Sequence, residues 1–144
     1  MTGVLDGITV LDLSWGISGP VTGMLLADHG ARVTKIEPPG GDPFRSLSGA
    51  RVWHRGKRSA FLDLTEETDR DRFLALAAHA DVVIESYEPG VTARLGIDPD
   101  TLLARNPRLI HCSITGYGSE GKHAHRPAVD ALVAARTGQQ WESR

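Results

Sequence analysis

Apolar positions along this chain fall into two rhythms that take turns. Short runs rich in β-branched residues, at Thr9 to Leu13, Arg32 to Glu37, Ala60 to Asp63, Asp81 to Glu85 and Leu109 to Ile114, predict five strands. Between them the spacing becomes helical. Val21, Met24, Leu25, Leu26 and Ala27 predict a helix from about Pro20 to His29, stopped by Gly30. Thr65 and the acidic residues Glu66, Glu67 and Asp69 open a second helix, whose stripe of Phe73, Leu74, Leu76, Ala77 and Ala80 carries it to about Ala80. Val91 to Leu95 predicts one helical turn, and Asp98-Pro99 caps a short helix that Asn106-Pro107 ends. A last helix covers roughly Ala128 to Arg136. A strand that returns through a helix lies parallel to its predecessor, so the alternation predicts an α/β fold: an open, mostly parallel, Rossmann-like sheet with helices on both faces.

Ligands of such sheets sit outside the carboxyl ends of the strands, where the strand order reverses. The turns at Trp15 to Pro20, Ser86 to Gly90 and Thr115 to Gly118 are therefore expected on one rim, with the loop after Glu37. In the first of them the run from Thr9 to Leu13 breaks into Gly16, Ser18, Gly19 and Pro20 just before a helix, and free N–H groups at a helix start favour an anion. The same turn would serve any strand-helix-strand unit, so both readings stand. The glycines do not follow the Gly-x-Gly-x-x-Gly order of a nicotinamide site, although Glu37 stands where an acidic residue would meet a ribose. A dehydrogenase is the weaker alternative.

From Pro38 to about Ser59 regular periodicity is lost. Loops of this length are usually functional or mobile, and this one carries Arg45, Arg51, His54, Arg55, Lys57 and Arg58 with the aromatics Phe44 and Trp53. Cations beside aromatic rings suit a phosphorylated ligand that contains a ring, and a solvated surface loop is the plainer account.

Composition narrows the classes. The chain has 144 residues, enough for one domain with a sizeable core. A net charge of −2 offers no overall positive field for nucleic acid. The single cysteine, Cys112, leaves neither an internal disulfide nor a zinc set, and with no signal-peptide pattern at the N-terminus the expected location is cytoplasmic. No apolar run approaches the roughly 20 residues of a membrane span. His111 and Cys112 lie inside an apolar strand and are read as core, and His123 and His125 lack a third ligand at metal spacing.

Several segments carry a resemblance. They are Leu5 to Asp12, Gly19-Pro20, Leu26 to Glu37, Gly41-Asp42, Lys57-Arg58-Ser59, Asp81 to Glu85, Pro89-Gly90, Arg94-Leu95-Gly96 and Asn106-Pro107-Arg108 through Gly116-Tyr117-Gly118. In order, they resemble the N-terminal part of the class III CoA-transferases, a family that includes formyl-CoA transferase, carnitine CoA-transferase and α-methylacyl-CoA racemase. The resemblance implies that residues 1–144 are the N-terminal, CoA-binding part of a longer enzyme, an incomplete domain whose second domain is absent. It also implies acyl-CoA and a carboxylic acid acceptor as substrates, no metal, and a homodimer for the full-length protein.

By position, the family's CoA contacts fall on Ile17 and Ser18, on Leu62 to Thr65, on Ser86 and Tyr87, and on Arg94. Pro38 replaces a CoA-binding arginine of formyl-CoA transferase, so Arg45 or Arg51 is expected to take that work, and Thr65 replaces a lysine. In the family's transferases an aspartate attacks the thioester and passes through an anhydride and an enzyme thioester. The resemblance puts that nucleophile beyond Arg144, which would leave this chain inactive alone. Val129-Asp130 matches a Tyr-Glu pair in formyl-CoA transferase and a His-Asp pair in the racemase. Val129 cannot carry a proton, which disfavours racemase chemistry, while Asp130 keeps a supporting carboxylate. The competing class is a CoA- or nucleotide-binding module without catalysis.

Overall fold

The computed structural model describes residues 3–139. Five strands, β1 (Thr9–Asp12), β2 (Arg32–Glu37), β3 (Arg58–Phe61), β4 (Val82–Glu85) and β5 (Ile110–Ser113), form one sheet in the order β3-β2-β1-β4-β5. Every neighbouring pair is parallel, with Val10 opposite both Val33 and Val82, Glu37 opposite Phe61, and Glu85 opposite Ser113. The chain builds outward from β1 to β3, then crosses back to β4. The strand order therefore reverses between β1 and β4, and the turns that follow those two strands flank the switch point.

Successive residues of each strand feed opposite faces, as a pleat requires. Leu11, Leu13, Ile36 and Val83 pack on one side with Phe73, Leu74 and Ala77 of α3 (Glu67–Ala77) and Leu102 of α5 (Pro99–Arg105). On the other side Val10, Val33 and Ile84 meet Leu26 and Ala27 of α1 (Ser18–Asp28). Helices cover both faces, as the alternation predicts. The short helices α2 (Ala50–Trp53) and α4 (Val91–Arg94) and the last helix α6 (Asp130–Thr137) complete the fold.

Local chemistry moves several boundaries from their predicted places. α1 begins at Ser18 and not at Pro20; a proline fits anywhere in a first turn because those N–H groups have no partner inside the helix. β3 lies two residues earlier than expected, and Leu62 to Thr65 form its exit turn. There the Asp63 carboxylate accepts from the Thr65 N–H at 3.0 Å and from its hydroxyl at 2.6 Å, which holds Thr65 outside α3. Within the loop after Glu37, Ala50–Trp53 makes one helical turn that no apolar period announced. The predicted cap at Asp98 is present: its carboxylate accepts from the Thr101 N–H at 3.0 Å. Of the segment Thr137 to Arg144, residues 140–144 lie outside the described residues. Among the described residues, no helix is long and apolar enough to cross a membrane.

Candidate functional site

The turn after β1 and the turn after β4 are stitched together at the switch point. The Ser86 hydroxyl accepts from the Trp15 N–H at 2.8 Å and donates to the Trp15 carbonyl at 3.2 Å. The Trp15 and Tyr87 rings then stand edge to face, 5.6 Å apart. Two cavities open on this partition. The smaller, about 460 Å³, is lined by Glu37, Pro38, Leu62 to Thr65 and Val91, with Trp15, Ser86, Tyr87 and Glu88 on the shared side. The larger, about 800 Å³, has the same four shared residues and runs past Ile17, Ser18, Phe44 and Leu47 to Gly116, Arg126, Val129 and Asp130. The two lobes lie on either side of this shared wall, along the carboxyl ends of the strands.

Predicted site residues from four separate connections meet here. Ile17 and Ser18 line the larger lobe, Leu62 and Thr65 the smaller, and Ser86 and Tyr87 both. Asp130, first residue of α6, is among the residues that line the larger lobe. Its seat depends on Gly116. A Cβ on Gly116 would lie 2.3 Å from the Ala128 Cβ and 3.4 Å from Val133, so the missing side chain lets α6 dock on the turn after β5. Arg94 closes α4 beside Gly90 and is not among the lining residues of either lobe. Phe44, expected beside a ligand, lines the larger lobe; Trp53 does not, because it packs under Gly49.

Three cations of the basic segment are paired with carboxylates, and of these Lys57 is buried. Arg45 donates to Glu37 and Arg55 to Asp28, at 3.2 Å through Nε, while Lys57 Nζ lies 2.6 Å from Asp12 Oδ2 and 2.7 Å from the Pro20 carbonyl. Arg45 is therefore engaged by a carboxylate while its side chain stays half exposed, and it is not among the lining residues of either lobe. Cation counting in the sequence missed this, because it does not see which carboxylates the fold brings alongside. Glu37 shows the same effect. Its Oε2 accepts from the Asp42 N–H at 3.0 Å and its Oε1 from the Ser59 hydroxyl at 2.9 Å, in addition to Arg45. Three of the roughly four acceptor positions of this nearly buried carboxylate are thus taken by its own loop and by Ser59 of β3, which weakens the support for a dehydrogenase.

Burial and neighbouring groups act on this frame in opposite directions. Burial alone would lift the Glu37 carboxyl, but hydrogen bonds from Arg45, Ser59 and the Asp42 backbone outweigh it and hold the group below its ordinary 4.5. Burial pushes the Lys57 ammonium down from its usual 10.5, opposed by Asp12. Beside it, Lys35 Nζ lies 3.3 Å from Asp42 Oδ2 and 3.9 Å from Asp12 Oδ1, and it also donates to the Ser14 carbonyl. The opposite charges are interleaved, so Lys35 and Lys57 each have a carboxylate partner. Burial, with Glu85 and Asp12 nearby, pushes the Tyr87 phenol up to about 12. At neutral pH it is a hydroxyl and not a base. Among the described residues no group of three His, Cys, Asp or Glu could hold a metal ion.

Residues 5–141 match the profile of CoA-transferase family III. The chain belongs to that family. This CoA-transferase chain is 41% identical over 145 residues to the probable fatty acyl-CoA transferase Rv3272 of Mycobacterium tuberculosis, a match covering 93% of this chain and 37% of that protein. It is 44% identical to the acetyl-CoA:oxalate CoA-transferase of Acetobacter aceti, over 94% of this chain and 37% of the relative. A crystal structure of Rv3272 superposes with a TM-score of 0.91 at 43% identity, covering 96% of this chain and 40% of that one. A CAIB/BAIF family protein from Brucella suis gives 0.89 at 36%, with the same coverage. The chain thus spans well under half the length of these relatives.

Proposed function

We propose that this chain is the CoA-binding portion of an acyl-CoA transferase that moves CoA between carboxylic acids. The observation that carries the reading is the pair of adjacent lobes, one at the ends of β2 and β3 and the other lined in part by Asp130, which share the wall of Trp15, Ser86 and Tyr87. A long, jointed ligand fits two lobes better than a compact one. The nucleotide of CoA occupies the smaller lobe, between Leu62 to Thr65 and Tyr87, and the pantetheine arm passes the partition toward Ile17, Ser18 and Asp130. Arg94, at the rim, answers a phosphate.

The chemistry proposed for the whole enzyme is covalent. An aspartate carboxylate, placed by the resemblance beyond Arg144, attacks the thioester carbonyl and expels the CoA thiolate, forming an anhydride. The thiolate then attacks the aspartyl carbonyl, releasing the first acid and leaving an enzyme thioester. An incoming carboxylate repeats both steps in reverse and leaves as the new acyl-CoA. In this scheme the chain is inactive alone, Asp130 lies beside the reacting acyl group, and the full protein works as a cytoplasmic homodimer without metal.

Thermal unfolding with and without ligand tests the binding half of the proposal. CoA at 100 times its Kd stabilises the chain by about 2.7 kcal/mol, whereas NAD at the same concentration leaves the midpoint unchanged. Arg94→Ala weakens CoA binding by roughly 1.5 to 3 kcal/mol if the guanidinium meets a phosphate. Protection by NAD and not by CoA would overturn the reading.

A further inference from the structure

Four charged side chains meet beneath the rim without lining either lobe: Asp12 at the end of β1, Lys35 in β2, Asp42 in the loop after β2, and Lys57 just before β3. Each is at most 2% exposed. Two backbone carbonyls are drawn into the group, and they bracket the turn after β1. Lys35 donates to the Ser14 carbonyl, directly before Trp15, and Lys57 donates at 2.7 Å to the Pro20 carbonyl, directly after Ile17, Ser18 and Gly19. The start of α1 comes this close because two glycines leave room. A Cβ on Gly19 would lie 2.2 Å from the Ser14 Cβ, and one on Gly23 would lie 2.7 Å from Asp12 Oδ2 and 2.9 Å from Lys57 Nζ. Lys35 also reaches the loop after β2. Its Nζ is 3.3 Å from Asp42 Oδ2, and Asp42 Oδ1 accepts from the Phe44 N–H at 2.8 Å.

From this arrangement we infer that Lys35 and Asp42 are positioning residues for the CoA site, holding the turn after β1 and the loop after β2 as one unit. The inference rests on the CoA reading above and names residues that set the site without touching the ligand. Trp15, Ile17 and Ser18 line the larger lobe from the turn, and Phe44 and Leu47 line it from the loop. Lys35 contacts the backbone of the first and the carboxylate that holds the second, so neither wall shifts without pulling on the same ammonium. Lys57 and Asp12, 2.6 Å apart, complete a neutral quartet. Such a cluster is better suited to fixing geometry than to raising stability, because lost hydration offsets the attraction between buried ions. A ligand that meets a preset wall loses none of its binding energy to ordering that wall.

The test uses the double variant Lys35→Met/Asp42→Asn, which leaves Asp12 and Lys57 paired and keeps an oxygen for the Phe44 N–H. Calorimetry measures CoA affinity, and amide exchange followed by NMR reads the two walls at Trp15 and Phe44, whose N–H groups are bonded to Ser86 and Asp42. Leu109→Ala, which empties a buried site just before β5 at the other end of the sheet, is the destabilised control. The double variant is folded by circular dichroism and exchanges faster at Trp15 and Phe44 together. It binds CoA at least about tenfold more weakly, as a site seated about a tenth of the time would. Leu109→Ala loses stability and keeps the parent affinity. If the double variant does not fold, Asp42→Asn alone is measured, and it lowers affinity at least about threefold by freeing the loop. Parent affinity in the folded variant, faster exchange in the double variant at one wall only, or an equal loss of affinity in Leu109→Ala overturns the inference and leaves the CoA reading intact. Failure of the parent to bind CoA overturns both.

Discussion

Trp15 and Tyr87 stand edge to face, ring centroids 5.6 Å apart and planes at 76°, across the point where the strand order reverses. They come from turns 71 residues apart at the Trp15–Ser86 hydrogen bonds, so the partition of the cleft is also a clasp between the two halves of the sheet.

Removing that clasp has two separable effects. Trp15→Ala loses the ring pair and destabilises the fold by at least about 1 kcal/mol in urea denaturation. It also merges the two lobes and weakens CoA binding, while Trp15→Phe restores most of both. Unchanged CoA affinity in a folded Trp15→Ala protein would make the ring pair purely structural.

Glu37 predicts a pH dependence. Its carboxyl titrates lower in the folded chain than in the unfolded one, so the unfolded state binds more protons as acid is added. Its stabilisation is complete above about pH 4.5 and is lost as pH falls through the folded value. Glu37→Gln keeps the size of the side chain but removes the charge. At pH 7 it costs roughly 1.5 to 3 kcal/mol, the range for hydrogen bonds to an ion. Once pH has fallen through the folded value the variant and the parent converge, which denaturation at a series of pH values measures. A cost that stays constant across pH would mean that the ion contributes nothing.

Gly116 predicts a local loosening. Gly116→Ala drives a Cβ into Ala128, which α6 relieves only by moving off the turn after β5. The expected cost is about 1 to 3 kcal/mol, with faster amide exchange across Asp130 to Thr137 and unchanged exchange in β1 and β4. Uniform loss of protection would show that the contact supports the whole fold and not the seat of Asp130.

Much of this protein could be read from the order of its residues. Strand and helix periods follow from local patterning, so the five strands, the parallel sheet and the rim of turns were legible, and the family resemblance led to Ile17, Ser18, Leu62, Thr65, Ser86 and Tyr87. Those residues lie in strand-end turns, whose position along the chain is enough to place them on the rim. What the order of residues could not supply is pairing across the fold. Arg45 reads as a free cation until β2 and its loop bring Glu37 to it, and Lys57 reads as a surface charge until it is found on Asp12 beneath α1. The partition between Trp15 and Tyr87, and the convergence of Ile17, Phe44, Leu47 and Val129 on one lobe, belong to the same class. Periodicity is a property of neighbours within a few residues, whereas charge neutralisation and cavity walls are set by groups tens of residues apart, and only the folded sheet decides which of those meet.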